Sequence, residues 1–303
     1  MYDAEAIVIG GGHNGLICAA YLAKAGVTTI LVEARDSVGG CASTVADMGA
    51  RFNICACDHS LIRAMPLIDE LNLSSHGLDY LEPEATYVNA FHENSGSWVF
   101  YHDSNQTMDG LSITHPSEVA NYKRYLEDAI PVAKLVIEIA QSGASMTEFL
   151  QVASRKRMKG VSKLLRWSKA SAVDVFKDYF DDWHLYMPGI STGPTVWGAP
   201  PEAPGTGLAA TVYATRHLIA SGRPRRGSGS LPDAILKSYL SNGGQVRLKS
   251  IVEKLQVENK RVKAVQLQDG SVIEAPTVIA ACDPHTVFVN WIDEAPVSAK
   301  SLI

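Results

Sequence analysis

The sequence predicts an α/β fold. A parallel sheet and a β-meander are shared between two separated segments, with an α+β region inserted between them. Three observations carry this. The chain starts with a β-α-β unit whose turn is rich in glycine. After residue 226 it returns to a helix, short alternating strands and a closing apolar strand. At 303 residues, 46% hydrophobic and 19% charged, with mean hydropathy near zero, it has the composition of a globular chain long enough for two domains.

"AEAIVIG" is a continuous apolar run ending in glycine, the form of a strand buried on both faces. "HNGLICAAYLAKAG" places Leu16, Ala19, Ala20 and Ala23 at helical spacing and stops at Gly26. "VTTILVE" is a β-branched strand finishing at Glu33. Between the first strand and the helix, Gly10, Gly12 and Gly15 spell G-x-G-x-x-G, with Gly11 and Asn14 inside the turn. Gly10 permits the tight turn, Gly12 lets backbone approach a pyrophosphate, and Gly15 lets helix and strand pack closely. The helix N-terminus then faces phosphate charge. This is a Rossmann-like dinucleotide unit. Glu33 is placed to accept from a ribose 2′-hydroxyl; an arginine there would suit a 2′-phosphate, so NADP is disfavoured. These residues leave NAD and FAD open.

Later, residues 231–241 read as an amphipathic helix with Leu231, Ala234, Ile235 and Leu240 on one face and a stop at Asn242-Gly243-Gly244. Strands follow at 245–248, 252–258, 262–267 and 272–274, the last two joined at Asp269-Gly270, and "PTVIAAC" closes the sheet. The middle of the chain starts with strands in "ATYVNAF" and "SGSWVFYHD". It goes on to a long helix that begins near Pro116 and is interrupted at Pro131. The stretch 186–207 is too rich in proline and glycine for regular structure, and reads either as an ordinary surface loop or as a loop lining a substrate cavity with Tyr186, Trp197 and Tyr213 as apolar walls.

The segment after Glu33 narrows the nucleotide. Glu33-Ala34-Arg35, Val38-Gly39-Gly40 and Cys41 resemble the E-A/K-x-x-x-x-G-G element of the FAD-containing amine oxidase and phytoene (carotenoid) desaturase superfamily. "GARFNICACDHSL" resembles that family's G-x-x-F-D-x-G-x-H element, with Gly49, Phe52 and His59 in place and with Asn53 and Ala56 as departures. "GGGHNGL" and "DHSL" are similar to the desaturase-like branch that carries the pyridine nucleotide-disulfide oxidoreductase domain name. The resemblance implies FAD as cofactor, with Gly10, Gly11, Gly12, Asn14, Gly15, Glu33, Ala34, Arg35, Gly39, Gly40 and Cys41 around it and the backbone of Val252 at the adenine ring. It implies an FAD-binding domain at 1–75 and 226–285, an inserted substrate domain at 76–225, and at 286–303 the start of a further segment. On that reading the chain is a fragment or a shortened member, holding the ADP half of FAD. The reaction implied is dehydrogenation or desaturation of an apolar, lipid- or carotenoid-like small molecule, with hydride passing to the flavin. The open alternatives are a non-catalytic FAD/ADP-binding protein acting in a complex and an NAD-dependent dehydrogenase.

Other features bound the reading. The net charge of −5 gives no nucleic-acid signal. Five cysteines without C-x-x-C spacing suit a reducing compartment, cytoplasmic or mitochondrial matrix, and Cys55 and Cys57 read as buried small side chains. The sequence shows no metal-ligand spacing, triad or acid/base pair, so no catalytic residue is assigned. "RKRMKGVSKLLRWSK" (155–169) reads as a basic helix, solvated or resting peripherally on an anionic membrane. Arg216, His217, Arg223, Arg225 and Arg226 read as solvated cations, with a flavin or an acidic substrate group as the alternative they would face.

Overall fold

The computed structural model describes residues 2–57, 59–92, 96–141 and 160–293 and the single positions 147, 151 and 154. The chain forms two compact units. One takes Met1–His59, Pro66–Leu81 and Arg223–Ile303; the other takes Ser60–Met65 and Glu82–Gly222.

The first unit is built on β1 (Ala6–Ile9) and β2 (Thr29–Val32), every residue of which is buried. Such runs need cover on both faces and partners on both edges. The edges are closed by Thr277–Ala280 beside β1 and Gln245–Arg247 beside β2, all parallel, with Ile7 opposite both Val278 and Ile30. Helix α1 (His13–Lys24) buries Leu16, Ala19, Ala20 and Ala23 and lies against the helix Ser230–Ser241. Gly26, at φ +85°, turns the chain into β2.

The meander Val252–Glu258, Arg261–Leu267, Val272–Glu274 has its first turn at Asn259 and Lys260, both at positive φ, the conformation of a type I′ hairpin. It packs Leu255, Val265, Leu267 and Ile273 into one core with Ile7, Ile9, Ile30 and Val32. A small hairpin of β3 (Thr44–Asp47) and β4 (Ala50–Asn53) completes this part. Leu81 and Arg223, where the second unit leaves and rejoins, are themselves paired strand neighbours.

The second unit is a helical body around an aromatic core that includes Trp98, Phe100, Tyr122, Tyr125, Trp167, Phe176, Phe180 and Tyr213. Buried tyrosine hydroxyls need partners. Tyr125 donates to the Ala210 carbonyl at 2.6 Å, Tyr213 to the Leu185 carbonyl at 2.6 Å, and Tyr122 meets His217 Nε2 at 2.8 Å.

Several sequence expectations are corrected here. Helix Val119–Gln141 runs unbroken through Pro131, because buried Tyr122, Tyr125, Leu126, Ala129, Val132 and Ala133 anchor both sides of the proline. The Pro/Gly stretch begins inside a helix, Trp183–Thr192, which contains Pro188. That helix is capped by the Asp182 side chain, and Gly189 seats against the Phe176 ring. Tyr213 is core and no cavity wall, and the side chain of Trp197 lies outside those described. Tyr239, fully buried, takes the inward position expected of Leu240, which is 45% exposed. Cys55 and Cys57 are both exposed. Arg216 is buried over the Tyr87 ring, and His217 stacks on Phe100, so neither is a solvated cation. Of the basic stretch, 155–159 lie outside the described residues. In the rest, Lys163 is paired with Asp128 and Arg166 with Asp178. No helix among the described residues is long and apolar enough to cross a membrane.

Candidate functional site: the glycine turn

The turn after β1 is shaped by what a side chain would hit. Gly10 sits at φ +101°, and a Cβ there would lie 2.8 Å from the Ala281 carbonyl oxygen. At Gly15 a Cβ would come within 2.0 Å of the Gly10 carbonyl oxygen, so α1 starts directly on the turn. Gly12 differs: the nearest atom to a Cβ is Gly40 Cα at 3.8 Å, so one face of this residue is open. Gly12 also caps α1, with no side-chain bond to the helix amides and no acid in the first turn. The positive end of the helix is therefore left for an outside anion.

A second glycine pair locks onto the first. Gly39 donates to the Gly11 carbonyl at 2.8 Å and bridges Gly12 in parallel register. Gly40, at φ +56°, brings its own backbone against Gly12; a Cβ there would lie 2.9 Å from Gly12 Cα. The Glu33 carboxylate is 8% exposed and closes the floor: Oε2 accepts from the Gly11 amide at 2.6 Å and Oε1 from the Arg35 amide at 2.9 Å. The Arg35 guanidinium donates to the Gly40 carbonyl and to Ser43 Oγ, each at 3.2 Å, and Ser43 donates to the same carbonyl at 2.8 Å. The end of β2 is held from the other side, where Ser250 donates to the Glu33 carbonyl and Lys249 to the Arg35 carbonyl.

The structure thus brings Gly10, Gly11, Gly12, Gly15, Glu33, Arg35, Gly39 and Gly40 into one knot. Asn14, Ala34 and Cys41 are exposed neighbours of the knot in the chain. Val252 is 6% exposed, with its side chain in the sheet core and its backbone paired with Leu267. Sequence reasoning missed Ser43, which holds Gly40 in place; the signal was a serine three residues after the glycine pair. His59, from the second family element, is buried between Tyr80 Oη and the Ala56 carbonyl. Asn53, one of the two departures, accepts from Thr44 Oγ1 and the Ser228 amide, tying β4 to the loop before helix Ser230–Ser241.

These residues fit a dinucleotide. The open side of Gly12, the uncapped helix and a buried carboxylate with lone pairs to spare are what a pyrophosphate and a ribose diol require. His13 Nδ1 is a further buried polar atom at the turn with no partner among the described residues.

The family model described as flavin containing amine oxidoreductase matches residues 15–300. The chain belongs to that family. Among curated relatives, a limonene dehydrogenase polypeptide from Castellaniella defragrans is 24% identical over 99% of this chain and 55% of its own length. A lycopene-forming phytoene desaturase from Pseudescherichia vulneris is 24% identical over 98% and 59%. Among solved structures, a putrescine oxidase variant superposes with a TM-score of 0.66 at 19% identity over 99% of this chain and 62% of that one, which shows the Rossmann-like fold. The chain spans somewhat more than half the length of the curated relatives it matches. FAD, the cofactor expected from the sequence, agrees with this flavin family.

Proposed function

We propose that this chain supplies the nucleotide-holding part of an FAD-dependent oxidoreductase that dehydrogenates or desaturates an apolar, lipid- or carotenoid-like molecule. The observation that carries the reading is the double glycine knot at Gly10–Gly15 and Gly39–Gly40, closed by Glu33, in a chain of the flavin-containing amine oxidoreductase family. The apolar substrate rests on the limonene and phytoene in the names of two relatives.

When bound, the flavin supplies the hydride acceptor. The residues of the chain bind and orient it. The first-turn amides of α1 and the open face of Gly12 take the pyrophosphate. Glu33, already fixed by two backbone amides, presents its remaining lone pairs to the ribose hydroxyls. Gly39 and Gly40 keep side chains out of the path of the nucleotide, and Arg35 and Ser43 hold the Gly40 carbonyl in place. The backbone of Val252 is proposed for the adenine ring. Rigid placement of this kind is the protein's main contribution in cofactor chemistry.

The deciding experiment is the visible spectrum of the purified chain, with identification of what it releases on denaturation. The expected result is a flavin spectrum with one FAD released per chain, or uptake of added FAD to that ratio. A colourless protein that takes up no FAD, or one that releases NAD, overturns the proposal.

A further inference from the structure

In the second unit three ligand-type side chains meet. His115 follows the helix Ser104–Thr114; Asp182 caps the helix Trp183–Thr192, and His184 is its second residue. One ligand atom from each of the three lies within 4.8 Å of the others. Asp182 sits in the middle, its Oδ1 2.6 Å from His184 Nδ1 and its Oδ2 3.9 Å from His115 Nε2.

Two observations say this is more than a histidine leaning on a helix cap. His115 is 5% exposed, yet its Nε2, facing the carboxylate, has no hydrogen-bond partner among the described residues. A buried ring nitrogen left this way is costly unless something occupies the space before it. The carboxylates at this place, Glu118 and Asp182, also lack a lysine or arginine partner among the described residues. Glu118 is 2% exposed and accepts from the Asp182 amide at 3.1 Å and from Asn121 at 3.1 Å.

We propose that His115, Asp182 and His184 form a binding site for a divalent first-row transition-metal ion, zinc in the first instance. Two imidazoles and one carboxylate are a donor set for such ions and a poor one for calcium or magnesium. Tetrahedral zinc with bonds of about 2.0–2.1 Å places its ligand atoms roughly 3.3 Å apart. The supporting shell is built as metal sites need it. His115 Nδ1 is engaged by Thr114 Oγ1 at 2.9 Å, which leaves Nε2 as the free nitrogen. The His184 ring is stacked on Trp183 and edged by Phe91, and Gly96 packs so closely on it that a Cβ there would clash. Asp182 is about one-third exposed, which leaves the fourth position to water. The ion would staple the turn at His115 to the start of the helix at Asp182.

The test uses the full chain without an affinity tag, stripped with a chelator, on a background in which exposed Cys41, Cys55 and Cys57 are serine so that thiolates do not compete. Zinc is titrated by calorimetry and cobalt(II) by its visible d–d absorption. The expected result is one ion per chain, cobalt bands of low-coordinate nitrogen/oxygen type, and a metal-dependent rise in Tm. H115A and D182N are each expected to abolish it, while E118Q, one step further from the ion, weakens affinity by about 10–100-fold. Asn retains the helix cap, so D182N separates loss of metal from loss of fold, and far-UV circular dichroism checks this. No binding at micromolar zinc, or binding in H115A and D182N as tight as in the unsubstituted chain, overturns the proposal.

Discussion

Gly12 and Gly15 lie three residues apart and respond differently to an added methyl group. At Gly15 the methyl meets the Gly10 carbonyl oxygen, backbone against backbone, with nowhere to move. G15A is expected to cost about 1–3 kcal/mol or more in urea unfolding, and to lose flavin because the turn itself is displaced. At Gly12 the methyl finds open space, and the backbone at φ −65° suits alanine. G12A is therefore expected to keep its stability within about 1 kcal/mol while binding FAD about tenfold or more weakly. The pair makes a sharp comparison: a G12A chain that binds FAD normally removes the pyrophosphate from Gly12. The glycines were legible in the sequence because a glycine where the chain must turn tightly is a strong local signal. Ser43 was not, since a serine is an ordinary residue until its hydroxyl is seen on the Gly40 carbonyl.

Among the elements, the strands and α1 were legible because continuous burial and helical spacing write themselves into the residue order. The helices through Pro131 and Pro188 were not, because there long-range packing overrides a local rule. Two side chains show how such packing is secured. Tyr239, from the helix Ser230–Ser241, places its hydroxyl between β2 and its neighbouring strand, against the Thr29 carbonyl at 2.9 Å and the Gln245 carbonyl at 2.8 Å. Y239F is expected to lower stability by about 1–3 kcal/mol with no change in fold, as read by urea denaturation.

His217 lies in the second unit, partly buried against Phe100. Burial lowers its pKa, aided by the charge of His102 and opposed by the His102 backbone bond and by Asp103. A histidine whose folded pKa lies below its unfolded value binds fewer protons folded than unfolded. Its contribution is complete above the unfolded pKa and is lost as pH falls below it. Stability is expected to drop as pH goes from about 7 towards 5. H217Q is expected to flatten that slope; an unchanged slope assigns the effect to other groups.

For the molecule as a whole, the sheet joins distant parts of the chain. β1 pairs with Thr277–Ala280, β2 with Gln245–Arg247, and the Asp3 amide reaches the Glu274 carbonyl. A chain ending at residue 222 keeps β1 and β2 but loses both neighbours, leaving two apolar edges open. It is expected to give no cooperative melt by circular dichroism and no flavin uptake; a folded, yellow product would show that the later segment is dispensable. The grouping of His115, Asp182 and His184 was not legible in the sequence, because His115 and Asp182 are brought together only by the fold. The junction at Leu81 and Arg223 has a consequence for how such chains diverge. Two hydrogen-bonded neighbours mark the exit and the return of residues 82–222, the larger of the second unit's two pieces, so that piece is enclosed by a closed pair of strands. Loop-closure cost grows only slowly with the length enclosed. The frame can therefore host longer, shorter or wholly different inserts over evolutionary time without relearning how to close its own sheet.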